Sequence, residues 1–563
     1  MSIPRKRPST AALTLAGILL TGLVLRLWGI QHGLPFVYNL DEYAHFTESA
    51  VKMFGGGFNP NYFQNPPAFT YLLHVLFAFV YGGIVPSGAG SAVKAMFNGD
   101  PTELYTIARV TSALMGLGAA WVLYFAGRRL YNAAIGLAAT AFLTFTFLTV
   151  HYSHFALNDV PTLLPLCVGF FGLAGIIQKG RAIDYLIAGL GLGLATATKY
   201  TAAALAVSIF VAWAIRAFDD RAAAKQQFTY LVGAGAVAAI SFVVANPFAV
   251  LDADAFISGI RRQERLTSGV VKLGTDDTSG WQYYLWTLTW GWGFVPLALS
   301  VFGAGLALKR DWRKALPWVV FALLVWLFMG SQGRFYARWL MPIYPVLAVF
   351  AGYAVVELAM FASQRWRVAA GVAIATVALA LPLAHVINNN TVMTRDDTRD
   401  QAKAWLLANV GEGERIAIEL IGPRPYFNVG GTRGGDKQFD YYPLPRGTEV
   451  EKYATRLNPE LLDTYAAGGY CHVVIGSIQK GRVTKAPELA PPAASAYYKA
   501  LDQRGEKVAS FSPMKDGADL PRFNFDISYN WYPLGYERPG PAIDVYRLSG
   551  GKCKKSESHS AST

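Results

Sequence analysis

Residues 132–150, NAAIGLAATAFLTFTFLTV, run for 19 positions without a charged side chain. A helix rises about 1.5 Å per residue, so a helix of this length matches the roughly 30 Å hydrocarbon core of a bilayer. Arg128 and Arg129 precede the stretch, and another apolar run follows at 158–178. These features predict a transmembrane helix in a chain that has several.

The same criterion, applied outward in both directions, predicts about eleven spans in an α-helical polytopic membrane protein. The predicted spans are 10–29, 104–126, 132–150, 158–178, 184–199, 200–217, 228–246, 283–305, 315–331, 338–358 and 367–386. The composition agrees, because only 15% of the 563 residues are charged, against about 25% in soluble proteins.

Basic residues gather in every second connection between the predicted spans. Examples are Arg128 with Arg129, and Lys309 with Lys314. Because such residues favour cytoplasmic loops, we expect a cytoplasmic N-terminus and an extracytoplasmic C-terminus in the plasma (inner) membrane. The formal charge of +13 is then explained by basic residues in the cytoplasmic loops, and a nucleic-acid partner is disfavoured. A cleaved signal peptide is the alternative for the first span, but no small-residue cleavage site follows it.

The chain divides into two predicted domains. Residues 1–387 form a transmembrane domain with two long external loops, at 30–103 and 247–282, and long ordered loops commonly carry function. Within the first loop, 41–54 and 68–81 have the mixed pattern of helices that lie on a membrane surface.

Residues 388–563 form a polar, extracytoplasmic soluble domain. A predicted helix at 398–409 and short predicted strands at 415–420, 472–475 and 543–546 indicate an α/β or α+β class, and 556–563 has a disordered composition. Cys471 and Cys553 could form one disulfide, but two unpaired thiols are the favoured interpretation.

The segment Asn39-Leu40-Asp41-Glu42-Tyr43-Ala44-His45 places two adjacent carboxylates a dozen residues beyond the first span. Asp41 and His45 would share one helix face. One interpretation is that the two acids only open a surface helix, where they favour the positive end of its dipole. The other is that they do chemistry at the outer membrane surface.

An ordered set of motifs carries a family resemblance. The set runs from Asp41 to Pro66-Pro67, then through Arg109-Val-Thr-Ser-Ala-Leu, Tyr152 to Asp159, Thr198-Lys199-Tyr200 and Arg338-Trp-Leu-Met-Pro-Ile-Tyr-Pro. Over residues 10 to 360 the chain resembles the superfamily of protein O-mannosyltransferases and lipid A aminoarabinose transferases. The resemblance implies a type C glycosyltransferase fold and a polyprenyl-phosphate sugar donor.

The resemblance makes Asp41 the catalytic carboxylate, with Glu42 as a supporting acid. Asp159 is the second candidate acid, since an unpaired charge at the mouth of a span is costly and often functional. Its alternative role is to cap the helix that follows. The implied reaction is transfer of a hexosyl or pentosyl group to an external acceptor, with inversion.

The donor phosphate needs cations, and five side chains are candidates. Arg338 is the strongest, because a planar guanidinium fits phosphate in a bidentate way, and Arg334, Lys199, Arg109 and Arg261 follow. The alternative is that Arg338 and Arg334 are interfacial anchors, that Lys199 snorkels to the surface, and that Arg261 lies in a solvated basic stripe with Arg262 and Arg265.

His45, Asn65 and Tyr336 complete the predicted substrate pocket. Related enzymes often have Lys or His before the Pro pair, where this chain has Asn65, so the resemblance does not imply an aminoarabinose donor. His74 is expected to pack on a surface helix. No residue spacing indicates a metal ligand set, although the reaction is compatible with a divalent metal, and Asp252 is expected to cap the next helix.

The main rival function is a transporter or flippase of a lipid-linked or small substrate. Transporters usually show internal repeats and charges near the membrane midplane, whereas the candidate charges here gather at one face and follow long loops. The predicted partners are therefore a polyprenyl-phosphate-linked sugar, an extracytoplasmic lipid, polysaccharide or protein acceptor, and membrane lipids.

Overall fold

The computed structural model describes residues 9–82, 89–268, 273–275, 278–411, 415–419, 421, 438–441, 457–485 and 490–553. The chain separates into two compact units. The first comprises Met1–Leu34, Asp41–Val270 and Thr278–Asn390, and the second comprises Pro35–Leu40, Val271–Asp277 and Thr391–Thr563. Each unit is described by itself.

The region up to Met393 is helical. Its α-helices are α1 (Thr10–Leu27), α2 (Leu40–Ala44), α3 (Phe46–Gly56), α4 (Ala68–Tyr81), α5 (Ala89–Gly99), α6 (Thr102–Leu130), α7 (Ala133–Phe145), α8 (Phe147–Tyr152), α9 (Leu163–Gln178), α10 (Ala182–Thr198), α11 (Leu205–Asp219), α12 (Ala224–Ala245), α13 (Phe248–Leu251), α14 (Ala253–Ser268), α15 (Gly280–Leu288), α16 (Phe294–Gly330), α17 (Tyr344–Ala359) and α18 (Arg367–Met393). Short 3-10 turns occur at Tyr200–Ala204, Ala337–Ile343 and Gln364–Trp366, and a π turn at Thr289–Gly293.

Seven helical segments in the described ranges are long and apolar enough to cross a membrane. They are Thr10–Leu27, Thr102–Leu130, Tyr200–Asp219, Ala224–Ala245, Gly280–Gly330, Ala337–Ala359 and Gln364–Asn409. Four apolar helices are shorter, namely α4, α7, α9 and α10. A helix lies at every one of the eleven predicted spans.

The segment Gly280–Gly330 has 51 residues, which is about 75 Å of helix and more than twice the bilayer core. Asp311 interrupts it with non-helical backbone angles, φ −152° and ψ 74°. The two predicted spans at 283–305 and 315–331 therefore lie on either side of a bend.

Close helix packing in this unit depends on small residues. A Cβ atom on Gly191 of α10 would lie 2.1 Å from the backbone nitrogen of Gly169 in α9, and one on Gly172 would lie 2.3 Å from that of Ala188. Larger side chains at these points would force the helices apart. Such small-residue contacts let helices associate in lipid, where hydrophobic burial does not drive them together.

The first long loop, predicted at 30–103, differs from its prediction in one respect. The expected helix at 41–54 is two helices, α2 and α3, separated at His45, whose backbone angles are φ −123° and ψ −98°. The expected helix at 68–81 is confirmed as α4. His74 packs as expected: its ring lies 4.4 Å from that of Phe54, and its Nδ1 lies 3.0 Å from the Ala50 carbonyl oxygen.

The second unit is built on a five-stranded mixed sheet with the order β2-β1-β3-β5-β4. The strands are β1 (Arg415–Ile418), β2 (Gln438–Tyr441), β3 (Tyr470–Gly476), β4 (Glu506–Phe511) and β5 (Ile543–Arg547), and the helices are Thr398–Asn409, Glu460–Gly468, Ser477–Lys485, Pro492–Arg504 and Ile527–Asn530. β1, β2 and β3 are parallel, whereas β5 is antiparallel to β3 and β4. This arrangement confirms a mixed helix and sheet class.

Alternation along the strands sends side chains to two apolar clusters. Val473 and Ile475 of β3 contribute to one cluster, and Val474 to the other. The helix predicted at 398–409 is confirmed at those bounds, and its Leu406 lies in the second cluster. Of the predicted strand 415–420, Leu420 lies outside the described residues, as does the tail 556–563.

The prediction of two free thiols in this unit was wrong. Cys471 and Cys553 form a disulfide with Cα atoms 5.3 Å apart. The two residues are 82 positions apart in sequence, so their proximity depends on the pairing of β3 with β5, which residue spacing alone does not reveal.

Candidate active site

Asp41 and Glu42 lie together in the first turn of α2, but their side chains have different surroundings. Successive helical residues point about 100° apart, so two neighbours need not share an environment. The Glu42 side chain is fully buried, while the Asp41 side chain is 45% exposed. The predicted pair of acids is therefore one buried and one accessible carboxylate.

Glu42 forms a closed, bidentate ion pair. Arg109 of α6 donates from Nε to Oε1 and from Nη2 to Oε2, both at 2.8 Å, and the Ala156 backbone amide donates to Oε1 at 2.8 Å. The remaining guanidinium nitrogen, Nη1, donates to the carbonyls of Ile30 and His32. Arg109 thus joins the first loop to α6, and its role as a phosphate ligand stays a prediction.

Asp41 belongs to a separate chain of charges. Arg338 donates from Nη2 to Asp41, and its Nε lies 3.4 Å from Oδ2 of Asp159. Lys199 donates to the other oxygen of Asp159. Asp159 and Arg338 expose only 3% and 7% of their side chains, so Asp41 is the accessible end of a buried network of two cations and two carboxylates.

Local sequence explains how Asp159 and Lys199 meet. Asp159 lies in the irregular segment before α9, whose N-cap is Thr162, so the alternative that Asp159 caps this helix was wrong. Lys199 follows α10 in an extended conformation and is buried, which also contradicts snorkelling. Asn158 donates to the Thr198 carbonyl at 2.7 Å and joins the two segments.

Arg338 lies in the 3-10 turn that precedes α17. Pro342 lies within this turn and Pro345 near the start of α17, where prolines disfavour a longer regular helix. The guanidinium carbon lies 5.0 Å from the ring centroid of Tyr336 and 5.7 Å from that of Tyr152. Both distances are within the range of cation–π attraction, so the two rings help to orient Arg338 toward Asp41.

His45, Tyr62 and Asn65 form the other side of Asp41. The His45 ring stacks on Tyr62 with centroids 4.6 Å apart and an interplanar angle of 15°, and Asn65 donates to the Tyr62 hydroxyl at 2.8 Å. Nε2 of His45 lies 3.8 Å from Oδ1 of Asp41. Burial lowers the pKa of His45 below its ordinary value and raises the pKa of Tyr62 to about 12.

Residues of the second long loop, predicted at 247–282, contact the segment around Tyr62. Asn59 donates to Asp252 at 2.7 Å, and a Cβ on Gly259 would lie 2.8 Å from the Phe63 side chain. Asp252 also accepts from the Ala255 amide, as expected for a helix cap. The contacts show that residues near 59–63 pack against α14.

Two further predicted cations lie on α14 and in the segment before the 3-10 turn. Arg261 and its neighbour Arg262 are both exposed on α14, and the charge of Arg262 acts on Tyr62. Arg334 is partly buried, and its backbone amide donates to the Thr267 carbonyl at 3.1 Å. The structure brings together Asp41, Asp159, Arg338, Lys199, His45 and Tyr336.

Sequence reasoning did not select Tyr62 and Tyr152 as site residues, and it named Arg262 only as part of a basic stripe. Tyr152 opens one of the motifs that carry the resemblance, and Tyr62 is three residues before Asn65, so both were within segments that had already drawn attention. Among the residues that the structure describes, no group of three or more His, Cys, Asp and Glu side chains could hold a metal ion.

The arrangement has two chemical capacities. Asp41 offers an exposed carboxylate that can accept a proton or a hydrogen bond, and Arg338 offers a guanidinium of the shape that binds phosphate. The ion pair between them means that an incoming phosphate would compete with Asp41 for Arg338. Lys199 would keep Asp159 neutralised during such an exchange.

The chain has partial structural similarity to two solved membrane proteins. ArnT from Cupriavidus metallidurans bound to undecaprenyl phosphate aligns with 14% identity and a TM-score of 0.48, covering 95% of this chain and 97% of that one. The oligosaccharyltransferase AglB from Archaeoglobus fulgidus, in complex with an inhibitory peptide and a dolichol-phosphate, aligns with 13% identity and a TM-score of 0.46, covering 96% and 76%.

No curated protein sequence matches the chain. A family model does match residues 103–246, and its description is dolichyl-phosphate-mannose-protein mannosyltransferase. This segment contains Arg109, Asp159 and Lys199, three of the residues that carry the resemblance in sequence. The match confirms, over those residues, the similarity of this chain to the superfamily of membrane glycosyltransferases that use polyprenyl-phosphate sugars.

Proposed function

We propose that the protein is an integral-membrane glycosyltransferase that moves a sugar from a polyprenyl phosphate to an extracytoplasmic acceptor. The observation that carries this proposal is the buried network of Arg338, Asp159 and Lys199, which ends in the exposed carboxylate of Asp41. Charged groups inside a membrane protein are costly and commonly functional. The family match at residues 103–246 gives the class of reaction.

The proposed reaction is a single displacement with inversion at the anomeric carbon. The acceptor hydroxyl loses its proton to Asp41 while its oxygen forms the new bond to that carbon. The bond from the carbon to the phosphate oxygen breaks, and its electron pair leaves with the polyprenyl phosphate. Arg338 holds the phosphate and stabilises the charge that develops on it.

Arg338 and Asp41 therefore have linked roles. Before the donor binds, Arg338 is neutralised by Asp41 and Asp159. A bound phosphate takes the place of Asp41 on the guanidinium and leaves the carboxylate free to accept a proton. Tyr336 and Tyr152, which flank Arg338, keep its orientation during the exchange.

The proposed topology has eleven spans. The bend at Asp311 divides the 51-residue segment into two crossings, and α7, α9 and α10 supply three more. The basic residues then lie on the cytoplasmic side of the plasma (inner) membrane and the second unit outside it. The disulfide between Cys471 and Cys553 supports this assignment, since disulfides persist in oxidising compartments.

The second unit is proposed to bind or admit the acceptor, while the chemistry belongs to the first unit. The support is the location of Asp41, Asp159, Lys199 and Arg338, all of which lie in the first unit. A protein truncated after Asn390 should then still hydrolyse the donor slowly, with water as acceptor. Loss of hydrolysis in a truncated protein that remains folded would contradict this division.

The function is tested in two stages. Mass spectrometry of lipid extracts from cells with and without the protein should show one polyprenyl-phosphate sugar that accumulates in its absence. The purified full-length protein in lipid nanodiscs should then release polyprenyl phosphate from that donor, and the Asp41→Asn variant should not. If no such lipid accumulates, and none of the mannosyl, glucosyl, galactosyl and arabinosyl donors is consumed faster than by the variant, the proposal is wrong.

A further inference from the structure

His45 lies beside the proposed base without a role in the reaction as described so far. Its Nε2 is 3.8 Å from Oδ1 of Asp41, which is a small side-chain movement away from a hydrogen bond. The residue lies at the break between α2 and α3, and Tyr62 stacks on the flat face of its ring. The break and the stacking hold the imidazole edge toward Asp41.

Arg338 limits Asp41 as the final holder of the proton, because the ion pair between them re-forms once the phosphate product has left. A neighbouring guanidinium favours the ionised carboxylate, so a carboxylate in this position is a weaker proton acceptor than an isolated one. An ordinary imidazole, with a pKa of about 6.5, holds a proton more tightly than an ordinary aspartate, with a pKa of about 3.9. His45 presents such an imidazole, with its Nε2 3.8 Å from Oδ1 of Asp41.

We propose that His45 is the proton relay of the transfer reaction. Asp41 removes the proton from the acceptor hydroxyl, and the proton then passes from the Asp41 oxygen to Nε2 of His45. The carboxylate is thereby restored, and the imidazolium loses its proton to water before the next turnover. This inference rests on the proposed function and adds a second proton acceptor to the same site.

The charges around His45 are suited to a temporary proton. Asp41 on α2 and Glu48 on α3 favour the imidazolium, and Arg338 on the neighbouring 3-10 turn opposes it. Tyr62, which contributes the stacked ring, stays neutral, because burial raises its pKa to about 12. The pKa of His45 lies below its ordinary value because burial outweighs the carboxylates, so the resting imidazole is neutral at pH 7.

A route to solvent also exists. The His45 side chain is 25% exposed, in contrast to Arg338 and Asp159. A proton on the imidazole can therefore reach water without crossing the buried part of the network. This exposure distinguishes His45 from His74, which is buried and packs against the ring of Phe54.

The first test is the pH dependence of turnover. The full-length wild type, with the donor identified in the lipid extracts and water as acceptor, should slow as the pH falls through the pKa of His45, since an imidazolium cannot accept another proton. His45→Gln should be roughly ten- to hundredfold slower at pH 7.5 and should lack this acid limb. The matched control is Tyr62→Phe, which keeps the stacked ring and should keep the limb.

The second test is chemical rescue. His45→Ala should regain at least a fivefold increase in turnover when millimolar imidazole is added, while Asp41→Asn should gain nothing. A residue that only supports the loop would show no rescue, because free imidazole would not restore packing. Recovery in the alanine variant also demonstrates that it is folded.

The outcomes separate this inference from the proposed function. If the wild type consumes no donor, both fail together. If the wild type turns over but His45→Gln keeps the acid limb and His45→Ala is not rescued, the relay is wrong and Asp41 alone accepts the proton. Loss of the limb together with rescue supports the relay.

Discussion

Asp41 and Glu42 are neighbours in one helical turn, and each pairs with an arginine distant in sequence. The pair of Glu42 and Arg109 is sealed, because both side chains are buried and Glu42 accepts further from a backbone amide. The pair of Asp41 and Arg338 is open at the aspartate, which is 45% exposed. Glu42 is therefore a buried partner of Arg109, whereas Asp41 is accessible, although the two acids are adjacent in the sequence.

Removing the negative charge of Asp41 should produce the largest effect on turnover. Asp41→Asn keeps the size of the side chain but cannot accept a proton, so transfer should fall by roughly 10²–10⁴-fold, as expected for a missing general base. Steady-state assays with the identified donor measure the loss. Donor affinity and the melting temperature in detergent should change little, and a variant with wild-type turnover would remove Asp41 from the mechanism.

The matching change at Glu42 should act on stability instead. Glu42→Gln leaves Arg109 buried without its counter-ion, and breaking a buried pair costs about 3–5 kcal/mol in the free energy of unfolding. Thermal unfolding monitored by tryptophan fluorescence should show a lowered melting temperature for Glu42→Gln and not for Asp41→Asn. Equal melting temperatures in the two variants would contradict the division between the two pairs.

Arg338 should affect binding more than Asp41 does. Arg338→Gln removes hydrogen bonds from a charged donor to the phosphate, each of which contributes about 1.5–3 kcal/mol, so affinity for polyprenyl phosphate should fall by roughly ten- to a hundredfold. Titration of a fluorescent polyprenyl phosphate into nanodiscs measures this. The contrast is informative, since Asp41→Asn should bind this lipid as tightly as the wild type or more tightly.

The smallest expected effects concern the two adjacent arginines of α14. Both are exposed, and the charge of Arg262 acts on Tyr62, beside the open pair. Arg262→Gln should raise the donor KM by about three- to fivefold, consistent with a partly screened charge, and Arg261→Gln should change it less than twofold. A larger increase in donor KM for Arg261→Gln than for Arg262→Gln would contradict this expectation and favour Arg261, the residue chosen from the sequence.

These contrasts also show what the sequence could predict. Helices follow from local pattern and length, which is why α4 and the helix Thr398–Asn409 were predicted at their observed bounds. The structure also brings together Asp41, Asp159 and Arg338, which belong to the motifs behind the family resemblance. Both results depend on local signals or on a resemblance that already contains the long-range information.

The errors have a common physical cause, which is pairing between residues far apart in the chain. The disulfide was missed because its two cysteines are 82 positions apart. The sequence likewise does not reveal that Arg109 pairs with Glu42, 67 positions away, or that Asp159 pairs with Lys199, 40 positions away. Composition and spacing describe each residue's chain neighbours, but charge pairing depends on neighbours in space.

The disulfide of the second unit has a consequence for the order in which the protein is made. It joins the second residue of β3 to a residue beyond β5, so the bond cannot close while the ribosome is still adding β4 and β5. On the proposed topology, the helices of the first unit are inserted into the membrane before this disulfide can form. Maturation would therefore end with an oxidation step outside the cytoplasm, and cells grown with a membrane-permeant reductant should accumulate inserted protein whose second unit is protease-sensitive.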